Sequence, residues 1–480
     1  MNLDPPQPDS PFEDAYRASY GPFSAALQDV LRAQVAELAE RRHHPERRRR
    51  IIENIRAHRR AFRDGHRHTQ GSEPPDMCDI DFLPVNEGFD TIFVPGEILA
   101  TRACFQNAIV APNLSARGFR ERPRDRQELP GDVIRLVSSE RRLDDLLDTV
   151  RYLRVRGCPA SLNYVMPLAG DRPPNGPGGG NGGNGDNQEA VGKGVGHPEP
   201  APELPRFTEY ASRFPAAKDE IIVAVIDGGI PQWKRADEWL VDVRRTPTNV
   251  DPLDAMPADG RLDVMAGHGS MVAGIVAQVA PHAEIRVYRT AGTDGLSTEA
   301  DVAAAMLRAV RDGARIVNIS MGCQPADGVE PLAMSAAVSQ IRATYGDSVV
   351  MVAAAGNFGD TQPCWPAAFD GVVSVAGLTA DLEPTKWSTR GGWVTFSSVG
   401  EGLRSTYVAI EYLRPPPNYD PWAYWSGTSF AAPQIAGMIA RKCYEQPGLG
   451  PQAVVDDLLQ AYALKPGWGR VVPVLPGVPL

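Results

Sequence analysis

Asp227, His268 and Ser429 are far apart in the chain, yet together they are the residue types a hydroxyl nucleophile requires. A serine attacks a carbonyl only when a base takes its proton, and that base works best when an acid orients it and stabilises its cation. Ser429 lies in Gly427-Thr428-Ser429-Phe430-Ala431-Ala432-Pro433. Small residues there open a close-packed helix whose free N–H groups and dipole face the serine oxygen. Asp227 ends the apolar run Ile221-Ile222-Val223-Ala224-Val225-Ile226, which reads as a strand buried on both faces, and Gly228-Gly229 lets the chain turn sharply after it. His268 stands in Gly267-His268-Gly269-Ser270-Met271-Val272-Ala273-Gly274, the start of a small-residue helix. Past the glycine-rich segment 169–205 the only other histidine is His282, in Pro281-His282-Ala283, which reads as a surface turn.

Taken singly, each box has a plainer meaning: a turn aspartate closing a strand, a structural histidine, an ordinary helix N-terminus. A fourth piece favours chemistry. Val349 through Ala355 reads as a buried strand running into Gly356-Asn357, and the Asn357 amide can join the Ser429 backbone N–H as donors to a developing oxyanion. Loss of one such donor costs about 10²–10³ in turnover. The competing class is a binding protein on an enzyme scaffold, and all four positions being filled argues against it.

The elements that must position these residues alternate between strand and helix. Strands are predicted near 221–226, 284–288, 315–319, 349–353 and 372–376, and helices near 268–279, 298–312, 331–344, 429–442 and 451–462. Such alternation implies an α/β fold, a mostly parallel sheet with helices on both faces. Strand ends and helix starts, where the boxes fall, are where such sheets keep their sites.

These boxes, in the order Asp…His…Ser with Asn357 between, resemble the subtilisin-like serine peptidases across residues 206–480. The resemblance implies a serine endopeptidase acting on a peptide or protein, with Asp227, His268 and Ser429 as triad and Asn357 in the oxyanion hole. Two positions depart from the family. Gly228 stands where Ser or Thr follows the acid, removing a hydroxyl that helps hold the carboxylate, and Ser270 replaces the usual Thr. Ile316-Val317-Asn318-Ile319-Ser320-Met321-Gly322 matches the family strand whose exposed end pairs with an extended peptide. The resemblance gives the first specificity pocket Ser320, Met321 and Gly322 as one wall and Ala353, Ala354 and Gly356 as the other. It puts Cys364 at the floor, where glycine is common, so small or medium apolar side chains are expected there. The chemistry requires no metal or organic cofactor. Many family members bind structural calcium, and no carboxylate cluster here compels it.

Upstream, residues 91–168 read as a small α+β unit, with strands at Thr91–Ala100, Val133–Val137 and Ser161–Met166 and a helix carrying Leu143, Leu146, Leu147, Val150 and Leu153. It resembles the intramolecular propeptide inhibitor of the same family; a permanent accessory domain is the other reading. Residues 169–205 begin with Pro- and Gly-rich sequence that cannot bury enough apolar surface to order itself, so they read as a flexible linker where cleavage concentrates. The N-terminal region 1–70 reads as a helical hairpin. One helix carries Phe23, Leu27, Val30, Leu31, Val35 and Leu38, and the arginine-rich stretch 46–63 carries Ile51, Ile52, Ile55 and Phe62. Its basic face either packs on the rest of the protein or docks an acidic protein partner. The whole predicts a peptidase kept latent by its N-terminal region and autoprocessed near the linker. Activation by a partner that engages the N-terminal helices is an alternative.

Composition narrows the classes further. The 480 residues carry a net charge of −10, and without an aromatic platform or motif no nucleic-acid partner is expected. Six cysteines without paired spacing suggest neither a disulfide framework nor a zinc site. Neither a signal-peptide pattern nor an apolar run of membrane-spanning length is evident, so a cytoplasmic protein is expected.

Overall fold

The apolar run before Asp227 forms the strand Ile222–Asp227 inside an eight-stranded sheet. From one edge the order is Leu464–Lys465, Gly469–Val471, Phe396–Val399, Val372–Leu378, Val350–Ala354, Ile316–Ile319, Ile222–Asp227 and Glu284–Arg289. All neighbours run parallel except the hairpin of the two outermost C-terminal strands. After Ile222–Asp227 the chain moves outward to Glu284–Arg289, then returns to pair on the opposite side through Ile316–Ile319. That reversal opens a crevice at the carboxyl ends of two neighbouring strands, where Asp227 and Ser320 lie. The computed structural model describes residues 25–40, 53, 55–63, 78–83, 91–122, 128–139, 142–168, 199–255, 262–325, 328–408 and 421–479.

Four helices of this unit pack in two pairs: His268–Val279 with Thr428–Glu445, and Glu299–Arg311 with Leu332–Tyr345. The first pair carries His268 and Ser429 in its opening turns. The second pair supports the small unit. That unit is an antiparallel sheet in the order Arg120–Glu121, Val133–Val137, Thr91–Thr101 and Ala160–Pro167, with Asp81–Leu83 added beside Thr91–Thr101. Leu146, Val150 and Leu153 of helix Leu143–Val155 are buried in the core behind it. Between Thr91–Thr101 and Val133–Val137 lie two short helices, Arg102–Phe105 and Ala111–Ala116, and the strand Arg120–Glu121.

The small sheet does not stop at its own border. Ala160–Pro167 pairs antiparallel with Leu296–Thr298 of the large unit, in the register Val165–Thr298, Met166–Ser297 and Pro167–Leu296. Arg135 reaches Asp301 at 3.2 Å, and the Thr91 hydroxyl donates to the Gln324 carbonyl at 2.9 Å.

Two N-terminal expectations need correction. Among the described residues, the helix Ala25–Glu40 buries side chains against the large unit and the helical residues 55–63 bury theirs mainly against the small sheet, instead of against each other. Leu31 is fully buried with Tyr424 and Val478, and Val35 packs on Trp387. Ile55 is buried with Ile80, Ile92, Val94, Val165 and Leu296. Three arginines of the basic stretch meet carboxylates of this same chain: Arg56 with Asp81, Arg59 with Asp294 and Arg63 with Asp79. The linker expected to reach residue 205 ends earlier, because Glu199–Ala201 already pairs with Trp422–Trp425. Residues 1–24 and most of the linker lie outside the described residues. Among the described residues no helix is long and apolar enough to cross a membrane.

Candidate active site

Asp227 is the last residue of its strand and fully buried. Its Oδ1 lies 2.8 Å from His268 Nδ1 and accepts the Gly228 backbone N–H at 2.6 Å. A carboxylate can only accept, so Nδ1 carries the proton and Nε2 keeps its lone pair. The approach of the two elements depends on Gly269: a Cβ there would meet the Gly229 carbonyl oxygen at 2.1 Å. Behind it, Asp251 Oδ2 accepts the Gly267 N–H at 2.8 Å and fixes the start of the histidine helix. Burial pushes the Asp251 carboxyl up to about 6, partly offset by the N–H groups of Gly267 and Leu253. The imidazole is flanked by Trp425 and Phe430, with ring centroids at 5.4 and 5.2 Å.

Ser429 follows Thr428 at the start of its helix, and Pro433 explains its surroundings. Proline has no N–H, so it cannot bond the carbonyl four residues earlier, that of Ser429. The Ser320 hydroxyl supplies the missing bond, donating to the Ser429 carbonyl at 3.2 Å, and Asn318 Nδ2 donates to that hydroxyl at 2.9 Å. In return the Ser429 hydroxyl donates to the Ser320 carbonyl at 3.1 Å. His268 Nε2 has no hydrogen-bond partner among the described residues, so the serine hydroxyl rests turned away from the base. Asn357 is held by Thr428, whose N–H and hydroxyl both donate to Asn357 Oδ1, at 3.0 and 2.8 Å. The same hydroxyl accepts the Gly356 N–H at 3.1 Å.

The residues expected for the first pocket converge. Ala353 and Ala354 end the strand Val350–Ala354 and are fully buried, with Ala353 paired to Ile319. Cys364 Sγ would stand 2.7 Å from a Cβ on Gly322 and 3.1 Å from one on Gly356, so the sulfur sits against both walls. Burial raises the Cys364 pKa well above its ordinary value, which keeps the thiol protonated and apolar. On the groove side, Met321 bridges Leu168 and the Gly322 N–H donates to the Pro167 carbonyl at 3.1 Å. The Leu168 N–H donates to the Gly295 carbonyl at 2.9 Å. The end of the small unit therefore lies as a middle strand between Gly295–Thr298 and Met321–Gly322.

His282 differs from its reading as a surface residue: it is half-buried, its ring 5.8 Å from Tyr444. Sequence reasoning also missed the role of Thr428 as the holder of Asn357, although its place in the Gly-Thr-Ser box offered a signal. Nothing local in sequence marked Asp251 or the groove strand Leu296–Thr298.

The subtilase family model (Peptidase S8) matches residues 218–468, more than half of the chain. The chain belongs to the subtilase family. It is 28% identical over 247 residues to a thermophilic serine proteinase of Bacillus sp. strain AK1, covering 49% of this chain and 55% of that protein. Thermitase of Thermoactinomyces vulgaris is 30% identical over 195 residues, 38% of this chain and 62% of its own length. The chain thus spans between about half and two thirds of these relatives. Mycosin-3 of Mycobacterium tuberculosis is 28% identical over 350 residues, 61% of this chain and 73% of its own. Among solved structures, fervidolysin from Fervidobacterium pennivorans, a keratinolytic enzyme related to subtilisin, superposes with a TM-score of 0.52 at 19% identity. That match covers 79% of this chain and 60% of fervidolysin and speaks for the subtilase fold.

Proposed function

We propose that this chain is a serine endopeptidase held latent by its own N-terminal region. The observation that carries the reading is the buried Asp227–His268 pair, 2.8 Å apart, beside the opening turn of the Ser429 helix. In this mechanism Ser429 swings from the Ser320 carbonyl to His268 Nε2, a tightening that substrate-free sites often await. Its oxygen attacks the peptide carbonyl while His268 takes the proton and Asp227 steadies the imidazolium. Asn357 Nδ2 and the Ser429 N–H stabilise the oxyanion. His268 then protonates the leaving amine, and water repeats the sequence on the acyl-enzyme. The substrate backbone adds as a strand between Leu296–Thr298 and Ser320–Gly322, and the Cys364 floor favours a small side chain before the cut bond.

Latency is supported by Leu168, which lies 1% exposed where a substrate strand belongs. A clasp reinforces it. Arg59, 3% exposed, meets Asp294 with two of its nitrogens, one at 3.0 Å, directly before the groove strand. The six aliphatic residues around Ile55 and Leu296 join the N-terminal helix, the small sheet and the groove strand. At about 1.5–3 kcal/mol per fully buried aliphatic side chain, this cluster supplies more holding energy than one buried ion pair, which fixes alignment.

The Leu168–Met321 pair lies one residue from Ser320, the residue whose carbonyl Ser429 touches. We therefore assign the autoprocessing cut to Ala169–Gly170, two residues outside the described ones. The test is intact-mass measurement of wild type and Ser429→Ala after incubation, with a fluorophosphonate probe added. Wild type is expected to be cut after Ala169 and labelled on Ser429, and the variant neither. A wild type that is never labelled, even with the clasp broken, would sink the enzyme reading.

A further inference from the structure

We infer that Tyr407 is a positioning residue, whose hydroxyl and ring hold the peptide group that aims His268 at Asp227 and Ser429. The inference rests on the reading of His268 as the base for Ser429 and adds a residue to it. The carbonyl of Ala266 and the N–H of Gly267 belong to one peptide group, and each end has its own partner. Tyr407 Oη donates to the Ala266 carbonyl at 3.0 Å, and Asp251 Oδ2 accepts the Gly267 N–H at 2.8 Å. Between that group and His268 lies only Gly267, at φ +81°, a left-handed conformation that glycine enters freely and leaves as freely. With no side chain to hold the glycine, the two bonds on the preceding peptide group set the direction in which the chain enters His268. The His268 N–H completes the turn by donating to the Met265 carbonyl at 3.1 Å. A Cβ on Gly267 would stand 2.8 Å from a Tyr407 ring carbon, so the phenol lies directly against this joint.

Tyr407 is itself fixed from the far side. It extends the strand pair Leu403–Thr406 and Trp422–Trp425, with its N–H donating to the Pro421 carbonyl at 2.9 Å. One Arg235 nitrogen donates to the carbonyls of both Tyr407 and Pro421, at 2.9 Å each. Asp237 accepts from the other two nitrogens of that guanidinium. The Tyr407 ring meets Trp425 edge-on at 6.1 Å, and Trp425 meets the His268 ring edge-on at 5.4 Å. Hydroxyl and ring thus reach the imidazole by separate routes. Burial, and then the charge of Asp251, hold the phenol above its ordinary pKa, so it stays a donor. The same strand lays two more hydroxyls on the histidine helix: Ser405 donates to the Met271 carbonyl and Thr406 to that of Ser270, both at 2.8 Å. Those bonds fall after His268, inside the helix. Only the Tyr407 bond falls before it, where the chain turns.

A reacting group misplaced by about 1 Å costs about 10²-fold in rate, so losing one of two anchors at this joint should cost a share of that. Two variants separate aim from support. Tyr407→Phe removes the hydroxyl and keeps the ring, and Thr406→Val removes a hydroxyl of the same strand and keeps its shape. In the full-length protein, fluorophosphonate labelling of Ser429 is followed over a range of probe concentrations. The docked strand is common to all three chains and cancels in the ratio to wild type. Tyr407→Phe is expected to lower the maximal labelling rate about tenfold, with the half-saturating concentration within about twofold of wild type. Thr406→Val should leave both within about twofold while losing as much thermal stability. Equal losses of rate in the two variants would make the strand a mere support and overturn the inference, as would an unchanged rate in Tyr407→Phe.

The proton on His268 Nδ1, which resonates at low field when shared with a carboxylate, gives a readout that needs no reaction. It should shift or broaden in Tyr407→Phe and keep its wild-type position in Thr406→Val. If wild type is never labelled, the enzyme reading fails, and this proton alone decides the positioning. An unchanged resonance in Tyr407→Phe then overturns it.

Discussion

On one wall of the groove, Asp227, His268 and Ser429 stand on elements of a single sheet-and-helix unit, each locked by bonds within that unit. The strand lying against that wall, Ala160–Pro167, is held by three residue pairs to Leu296–Thr298, by the Ser161–Glu299 bond, by the aliphatic cluster around Ile55 and by a core its unit shares with the large sheet, while Arg59 ties the N-terminal helix to Asp294. The first arrangement is redundant. Moving His268 would require shifting Gly267 off Asp251 and Gly269 off Gly229. The second joins segments distant in the chain, and the proposed latency requires that it be released without unfolding what it covers. The latency proposed above needs that asymmetry: a rigid reacting centre and a removable occupant.

The largest expected effect breaks the rigid side. Asp227→Asn keeps the shape but presents an amide to His268 Nδ1, favouring the tautomer with its proton on the wrong nitrogen. Peptide turnover should fall by about 10⁴-fold, as loss of a triad acid does elsewhere. Intact folding and a normal thermal melt are expected alongside. If turnover stays within tenfold of wild type, the Asp227–His268 bond is structural and the reading of the site is wrong.

A smaller effect is expected on the removable side. Arg59→Ala leaves Asp294 buried and unpaired, and breaking a buried pair in this way costs about 3–5 kcal/mol. If that cost falls on docking, the fluorophosphonate labelling rate of Ser429 should rise by about 10²–10³-fold with the triad untouched. The double variant Arg59→Met with Asp294→Leu should fall back toward wild type, since a well-packed apolar pair can replace a buried ion pair. Unchanged labelling in Arg59→Ala would mean the clasp contributes nothing to closure.

The same asymmetry governs what could be read from sequence. The rigid side is built from local signals. Ile221–Ile226 reads as a buried strand, the small residues after His268 and Ser429 read as close-packed helices, and the motif order supplied the rest. The helix expected at 268–279 has those bounds in the structure. The removable side is made of pairings with no local signature. Leu296-Ser297-Thr298 is too short to announce a strand, yet it joins two units. The arginine-rich stretch showed its charge but not its partner, because Asp294 lies 235 residues from Arg59. The hairpin expected for residues 1–70 went astray for the same reason. An amphipathic stripe says that a face is buried and is silent about which surface covers it.

The finest test of the contrast is a proton. Glu299 opens the helix beneath the docked strand, fully buried, and accepts the Ser161 hydroxyl at 3.1 Å. Burial pushes its carboxyl from an ordinary 4.5 up to about 8, only partly offset by Ser161 and by the N–H groups of Tyr164, Ala333 and Met334. Once the small unit leaves, water reaches the group and its pKa returns toward 4.5. Docking therefore takes up a proton between those values. It is unimpaired below about 4.5, weakens as pH rises toward about 8, and stays level above, where the docked form is ionised too. The steepest slope is about tenfold in the docking equilibrium per pH unit. Glu299→Gln is neutral at every pH and should dock without that slope. Arg135, Asp301 and Glu97, the charged neighbours on this interface, are common to both chains, as is His268. The ratio of Ser429 labelling in wild type to that in Glu299→Gln should thus climb from about pH 5 to about pH 8. A ratio that stays flat would mean the carboxyl remains buried after release, and the boundary between rigid and removable parts would have to be drawn on the other side of Glu299.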